Sequence, residues 1–221
     1  MIADHASNFI DKNKNNLGLQ RSVVDSHIAY DLGIRELAII LSSQLNSHLV
    51  MGEYSRLIID LNRDISDPTL ISEISDKIII KGNLDLSKNE IRSRVKYYRK
   101  YHDLIKKKIA DYDIKIIISL HSFNPVFKNK KRNIRYGVLS NSDKRLSNKI
   151  LDQFKINNIL VGDNEPYKGN LFGDSLYRHA LKNRLHHSLI EVRNDMLDSP
   201  KKIQKVSALL KKVLLSSIKH L

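Results

Sequence analysis

The run IIISLHSFNPV at residues 116–126 constrains the fold more than any other stretch of the chain. Four of its first five residues are Ile or Leu, a pattern typical of a strand buried on both faces of a parallel sheet. Pro125 has no backbone N–H, so the strand must end before it. His121 is therefore predicted near the carboxyl end of a central strand, where open α/β sheets form their sites. For His121 taken alone, a hydrogen-bonded core histidine is the alternative.

Length and composition indicate one folded domain. The chain has 221 residues, of which 41% are hydrophobic, and we predict a single α/β domain over residues 1–221. Few residues precede Asp4, so the alternative of a domain that lacks a short N-terminal strand stays open. The sequence has no cysteine, so a metal ion would be held by His, Asp or Glu. We see neither a signal peptide nor an apolar run near the ~18 residues of a membrane span, and we expect a cytoplasmic protein.

The formal net charge of +14 raises the question of a nucleic-acid partner. The lysines are spread along the chain, and the densest run, KNKKR at residues 128–132, has no interleaved aromatic residues. A solvated loop near an anionic substrate explains this run at least as well as a polynucleotide groove does. A non-enzymatic protein that binds polyanions is therefore the less favoured function.

Apolar spacing and capping residues predict the other elements. Helices are expected at residues 22–45, with Asp25 as the alternative N-cap of this first helix, and at residues 87–112, 143–154, 171–183 and from 199 to the terminus. Strands are expected at residues 50–51, 53–63, 134–140, 159–161 and 188–192. Ser87 and Glu90 form a capping box at the start of the second helix. On that helix we interpret His102 as a buried structural histidine.

Three separated residues are candidates for a metal site. His5 follows a possible short strand, His121 lies near the end of the central strand, and Asp31 is placed by helical spacing on one side of a helix with His27 and Arg35. A surface ion pair with Arg35 is the alternative for Asp31. Two imidazoles and one carboxylate would leave a fourth zinc position open, as in catalytic sites.

Further polar residues predict an anion-binding cleft. Arg56, Asn62 and Arg63 punctuate the apolar run at residues 53–63, and guanidinium groups bind carboxylates in a bidentate manner. Salt bridges from these arginines to Asp60 or Asp64 explain the pattern equally well. Glu191 is inside the predicted strand SLIEV. It lies either on a solvent-exposed face of the sheet or in a cleft where its carboxylate has a functional role.

The ordered blocks of the sequence resemble the N-formylglutamate amidohydrolase family, which is related to the zinc carboxypeptidases. The blocks are DHASN, LGL, HIAYDLG, YSRLIIDLNR, KGN, YYRKYH, HSFNPV, GDNEPY and IEVRND. The resemblance implies an α/β three-layer sandwich with a central mixed, mostly parallel sheet, of the phosphorylase/hydrolase-like type. It also implies one zinc ion per chain, with other divalent metals as alternatives.

The resemblance also implies a role for each candidate residue. His5 and His121 match the histidine ligands, and Glu191 matches the general base. Arg56, Asn62 and Arg63 match the anion clamp, with Arg56 also stabilising the oxyanion, and Tyr167 in the loop GDNEPYKGN matches a flap phenol. Asn8 stands where carboxypeptidases have a glutamate. We therefore take Asp31 as the third ligand because a carboxylate binds zinc better than an amide, with Asn8 and His27 as alternatives.

These expectations combine into one predicted activity. The chain would use a metal ion to hydrolyse the N-acyl amide of a small acidic amino acid, N-formylglutamate above all, and release formate and glutamate. Another N-acyl amino acid or a short peptide is the alternative substrate.

Overall fold

A computed structural model describes residues 1–219 and 221 of the chain. The strands are β1 Ile2–Ala3, β2 Val50–Met51, β3 Ile74–Ser75, β4 Ile78–Ile79, β5 Ile116–Phe123, β6 Val126–Phe127, β7 Lys130–Lys131, β8 Tyr136–Leu139, β9 Val161–Asp163 and β10 His186–Arg193. The α-helices are α1 Arg21–Val24, α2 Ile34–Gln44, α3 Lys88–Asp111, α4 Arg145–Ile156, α5 Ser175–His179 and α6 Pro200–Ile218. Short 3-10 turns lie at Lys12–Gly18, Lys81–Asn83, Leu181–Asn183 and Asn194–Met196.

Six strands form the central sheet, in the order β2-β1-β5-β10-β8-β9. Neighbouring strands are parallel except β8, which runs antiparallel to β10. This mixed, mostly parallel sheet confirms the predicted fold class. The strand predicted from IIISLHSF is β5, which continues two residues beyond His121.

Helices cover both faces of the sheet and enclose two hydrophobic cores. On one face, α2, α4 and α6 pack over the sheet around Leu41, Ile150 and Leu210. On the other face, α3 and α5 contribute Tyr98, Tyr101, Ile105 and Leu176 to the second core. Successive residues of a strand point to opposite faces, and accordingly Ile117 of β5 joins the second core whereas Ile118 joins the first.

The predicted helix at residues 22–45 is wrong in its first half. The chain forms only α1 there, then turns until α2 begins at Ile34. Gly33 has φ +75°, and a Cβ at this position would collide with Leu197. The N–H of Asp31 donates to the carbonyl of His5 at 2.9 Å instead of bonding within a helix. Asp31 consequently reaches the sheet from a turn, not from the side of a helix.

The predicted strand at residues 53–63 is also wrong. This segment is a series of turns, although Leu57, Ile58 and Ile59 are all buried. Its carbonyls bond to side chains from other segments, so the apolar run reflects burial without a neighbouring strand.

The structure differs from two further predictions. Within the expected helix at residues 171–183 only Ser175–His179 is α-helical. The basic run at residues 128–132, expected as a loop, contains β7, which pairs with β6 in a hairpin.

The last helix ends at Ile218, and residue 220 of the predicted extension lies outside the described residues. None of the helices in the described part of the chain is both long and apolar enough to span a membrane.

Candidate active site

Three buried side chains converge at the carboxyl ends of the parallel strands β1 and β5. They are His5, which follows β1, His121 within β5, and Asp31 in the turn before α2. Their ligand-type atoms all lie within 4.8 Å of one another. Each side chain is at most 6% exposed, so the group is held away from bulk water. The structure thus brings together the three residues predicted as metal ligands.

The orientation of the imidazoles fits a divalent cation. Nδ1 of His121 lies 2.9 Å from Oδ2 of Asp31, and Nδ1 of His5 lies 3.6 Å from Oδ1 of the same carboxylate. The buried Nδ1 of His5 has no hydrogen-bond partner in the described part of the chain. Two Nδ1 atoms and one carboxylate therefore face a common point, which is a suitable donor set for zinc.

Two further carboxylates hold the opposite sides of the imidazole rings. Nε2 of His5 lies 2.7 Å from Oδ1 of Asp60. Nε2 of His121 lies 3.2 Å from Oδ2 of Asp4, and Ser119 Oγ is 3.0 Å from the same nitrogen. Metal-binding histidines are commonly oriented in this way by a carboxylate on the second ring nitrogen. Sequence reasoning did not assign this role to Asp4, which directly precedes His5, or to Asp60, which lies two positions before Asn62.

The buried carboxylates remain ionised because of their histidine partners. Burial by itself would raise the pKa of Asp4 and of Asp31. Hydrogen bonds and the positive charge of His121 and His5 outweigh that effect and hold both pKa values well below their usual range. The site therefore offers negative charge at neutral pH, as a cation requires.

Glu191 faces the same cleft from the adjacent strand. It lies on β10 directly beside His121 of β5 in the strand register, and it is only 5% exposed. Burial raises the pKa of Glu191 to about 7, and its Oε2 has no hydrogen-bond partner in the described residues. A carboxylate in this state can accept and return a proton near neutral pH. The structure therefore places Glu191 in the cleft and not on a solvent-exposed face of the sheet.

The predicted anion clamp is only partly free. Arg56 donates to Oδ2 of Asp60 from Nη2 at 2.7 Å and from Nε at 3.2 Å, so the salt bridge expected as the alternative is present. Arg56 still lines the cleft, and its Nη1 lies 3.7 Å from Asp31 Oδ1. Burial would lower the pKa of Arg56, but Asp60 and Asp31 raise it above its usual value. Arg56 is thus a rigidly held cation at the wall of the cleft.

Asn62 and Arg63 also line the cleft. The backbone N–H of Asn62 donates to Oδ1 of Asp60 at 2.9 Å, and its side-chain oxygen accepts from the N–H of Ser175 at 3.0 Å. Within the described residues, Arg63 donates only to neutral oxygens, those of Thr69 at 3.3 Å and of the Asn62 carbonyl at 3.2 Å. Its guanidinium therefore remains available for an anion.

Tyr167 reaches the cleft from the loop after β9. Its hydroxyl accepts a hydrogen bond from Arg132 at 3.3 Å, and the Arg132 guanidinium lies 5.0 Å from the centre of its ring. Tyr167 is 45% exposed. Tyr167 therefore lies at the mouth of the cleft, where its side chain can contact a bound molecule.

The alternative third ligands lie elsewhere. Asn8 donates to Asp25 Oδ1 at 2.8 Å and to the carbonyl of Val24. His27 pairs with Asp76 at 2.8 Å on the rim of the cleft. His102 is buried as predicted, with its Nδ1 2.8 Å from Nε2 of His179. The cleft that is lined by Asp31, Arg56 and Glu191 has a volume of about 540 Å³.

The fold and the cleft together define a class. A buried group of histidines and carboxylates at the carboxyl ends of parallel strands is typical of an α/β enzyme. The model of the N-formylglutamate amidohydrolase family matches residues 1–197, and the chain belongs to this family of amidohydrolases. The family predicted from the sequence blocks is thereby confirmed.

Solved structures agree on the fold. A gene product from Agrobacterium tumefaciens is 29% identical, with a TM-score of 0.95 over 99% of this chain and 89% of its own chain. An N-formylglutamate amidohydrolase from Ralstonia eutropha is 15% identical, with a TM-score of 0.68 over 99% of this chain and 92% of its own. At that identity the second likeness concerns the fold alone. No curated protein matches the chain.

Proposed function

We propose that this protein is a zinc-dependent amidohydrolase that converts N-formylglutamate to glutamate and formate. The observation that carries the proposal is the position of Glu191, a buried carboxylate with a free oxygen, beside two histidines whose Nδ1 atoms face Asp31. Family membership supports hydrolysis of an amide. The choice of metal and substrate is our inference from the donor set and from the cationic side chains of the cleft.

His5, His121 and Asp31 would hold the metal ion through two Nδ1 atoms and a carboxylate oxygen. A bound zinc ion would polarise the amide carbonyl and lower the pKa of a water molecule toward ~7. Glu191 then accepts a proton from the attacking water molecule as the water oxygen bonds to the carbonyl carbon. Glu191 returns this proton to the amide nitrogen as the C–N bond breaks, so formate and the free amine leave.

The cationic side chains would bind and orient the substrate. Arg56 donates hydrogen bonds to the carbonyl oxygen as negative charge develops on it. Asn62 and Arg63 bind the α-carboxylate and thereby place the amide within reach of Glu191. Tyr167 at the mouth covers the bound molecule and limits the entry of water.

The size of the cleft favours a second candidate substrate class. A volume of about 540 Å³ falls in the range of pockets that bind drug-sized molecules, so a longer N-acyl amino acid or a short peptide would also fit. A panel of N-acyl glutamates with increasing acyl length distinguishes the two. The greatest kcat/KM for the formyl compound supports N-formylglutamate, and a maximum at longer acyl groups assigns the protein to the second class.

The experiment that tests the mechanism compares wild type, Glu191→Gln and His121→Ala in metal content and in formate release from N-formylglutamate. We expect about one zinc ion per chain in wild type and in Glu191→Gln, loss of metal in His121→Ala, and turnover in wild type alone. An active Glu191→Gln protein would contradict the assigned role of Glu191.

A further inference from the structure

A buried guanidinium without an acidic partner lies behind the cleft. Arg94 on α3 is only 3% exposed, and no carboxylate in the described part of the chain forms an ion pair with it. It donates instead to three neutral oxygens, those of the Ile58 carbonyl at 3.1 Å, the Gly82 carbonyl at 2.7 Å and the Asn83 side chain at 2.6 Å. A buried charge is costly unless its surroundings compensate it, so its retention here calls for an explanation.

Asn83 extends the contacts of Arg94 to two more carbonyls. Its amide nitrogen donates to the carbonyl of Leu57 at 2.9 Å and to that of Ser72 at 2.7 Å. Asn83 is itself fixed by close packing of the preceding residue, since a Cβ at Gly82 would lie 2.7 Å from the Cα of Leu17. Arg94 and Asn83 therefore form one buried unit that bonds to three separate stretches of backbone.

Two of the carbonyls held by this unit, those of Leu57 and Ile58, lie between two residues of the cleft. Leu57 and Ile58 directly follow Arg56 and precede Asp60, in the segment that has no helix or strand of its own. Asp60 contacts His5 Nε2 at 2.7 Å and Arg56 Nη2 at 2.7 Å. A displacement of residues 57–58 would thus move both the carboxylate that orients His5 and the guanidinium that faces the substrate.

We propose that Arg94 and Asn83 are positioning residues that fix residues 56–60 and so place Asp60 against His5 and Arg56 in the cleft. This inference rests on the proposed function, because the assembled geometry matters only if His5 binds a metal and Arg56 faces substrate. The planar guanidinium suits the task because it presents several donors in a rigid fork, which a lysine ammonium does not reproduce. A misplacement of about 1 Å in a catalytic group can lower a rate about 100-fold.

The test compares Arg94→Lys and Asn83→Ala with Leu210→Ala. Leu210 is fully buried in the core on the other face of the sheet, so its variant is destabilised without touching the segment. For each protein we would measure zinc affinity by competition with a chelator, kcat and KM for N-formylglutamate, and hydrogen exchange of the peptide covering residues 55–62. The thermal stability of each variant is also measured, so that zinc affinity and exchange are compared between variants that are destabilised to a similar extent.

We expect zinc affinity of Arg94→Lys and Asn83→Ala to fall about 10–100-fold, as for other losses of a carboxylate–histidine partner. Turnover should fall with it, and residues 55–62 should exchange faster. Leu210→Ala should keep wild-type zinc affinity and exchange in this peptide. Wild-type affinity, kcat and KM in Arg94→Lys, or an equal loss in Leu210→Ala, would overturn the proposal. A wild-type protein without zinc binding or turnover would instead contradict the proposed function, and the positioning role would fall with it.

Discussion

Nε2 of His5 lies 2.7 Å from Oδ1 of Asp60, and both side chains are buried. This contact turns the Nδ1 of His5, which has no hydrogen-bond partner in the described residues, toward Asp31. The second carboxylate oxygen of Asp60 accepts a hydrogen bond from Arg56. One aspartate therefore fixes both a candidate metal ligand and a candidate substrate-binding cation.

Asp60→Asn should weaken metal binding without abolishing the fold. The amide is a poorer acceptor than the carboxylate, so the orientation and basicity of His5 are reduced, and we expect a loss of about 10–100-fold in zinc affinity. Chelator competition measures the loss. Asp143→Asn is the matched control, because Asp143 is a half-buried carboxylate that pairs with Arg145 and does not line the cleft. An equal loss in this variant would contradict the role of Asp60.

The third metal ligand can be identified by metal content. Asp31→Ala should lose bound zinc, because Asp31 is the carboxylate that both Nδ1 atoms face. His27→Ala and Asn8→Ala should retain zinc, since these side chains bond to Asp76 and Asp25 instead. Elemental analysis after purification without chelator decides the question. Retention of metal in Asp31→Ala would rule out this ligand set.

Arg63→Gln should raise KM more than it lowers kcat. In the part of the chain that the structure describes, Arg63 donates only to neutral oxygens. Loss of a charge-assisted contact with a substrate carboxylate is worth roughly 1.5–3 kcal/mol, or about 10–150-fold in KM. Steady-state kinetics on N-formylglutamate and on its α-amide measure the effect. The change should be confined to the carboxylate substrate, and an equal change for both substrates would remove Arg63 from the clamp.

The buried pair His102 and His179 predicts a loss of stability in acid. Burial lowers the pKa of His102 to about 4 and, together with the neighbouring His102, that of His179 to about 3. The unfolded chain, where histidine has a pKa near ~6.5, binds these protons first as the pH falls. The free energy of unfolding should therefore rise with pH between about 4 and 6.5, by up to about 1.4 kcal/mol per pH unit for each proton.

Denaturant unfolding at a series of pH values measures this slope. His179→Gln should reduce the slope, because one of the two buried imidazoles is removed. Leu210→Ala should lower stability at every pH and leave the slope unchanged. An unchanged slope in His179→Gln would show that other groups cause the acid sensitivity.

Sequence patterns predicted those features that depend on local chemistry. Strand β5, the capping box of Ser87 and Glu90 and the structural role of His102 follow from short-range spacing, and the structure has all three. The order and number of the family blocks predicted the family and, with it, the fold. His5, Asp31 and His121 were selected by residue type, and the structure places them together.

The features that sequence reasoning missed depend on tertiary contacts. Apolar spacing around Gly33 predicted a continuous helix, but the close packing of Leu197 against Gly33 requires a turn. The run at Leu57 and Ile58 has the composition of a strand, yet its carbonyls are bound by Asn83 and Arg94. No local pattern at residues 57–58 reports on partners 26 and 36 positions away, so the conformation of this segment could be obtained only from the structure.

The three candidate ligands are spread from position 5 to position 121, on segments that meet only in the assembled sheet. During synthesis the amino-terminal part of the chain leaves the ribosome first, and it carries His5 and Asp31 without their partner. A nascent chain cannot present the complete donor set until β5 has emerged and paired beside β1. Binding of the proposed metal ion would therefore follow the pairing of β5 beside β1, and it would mark the completion of the centre of the sheet.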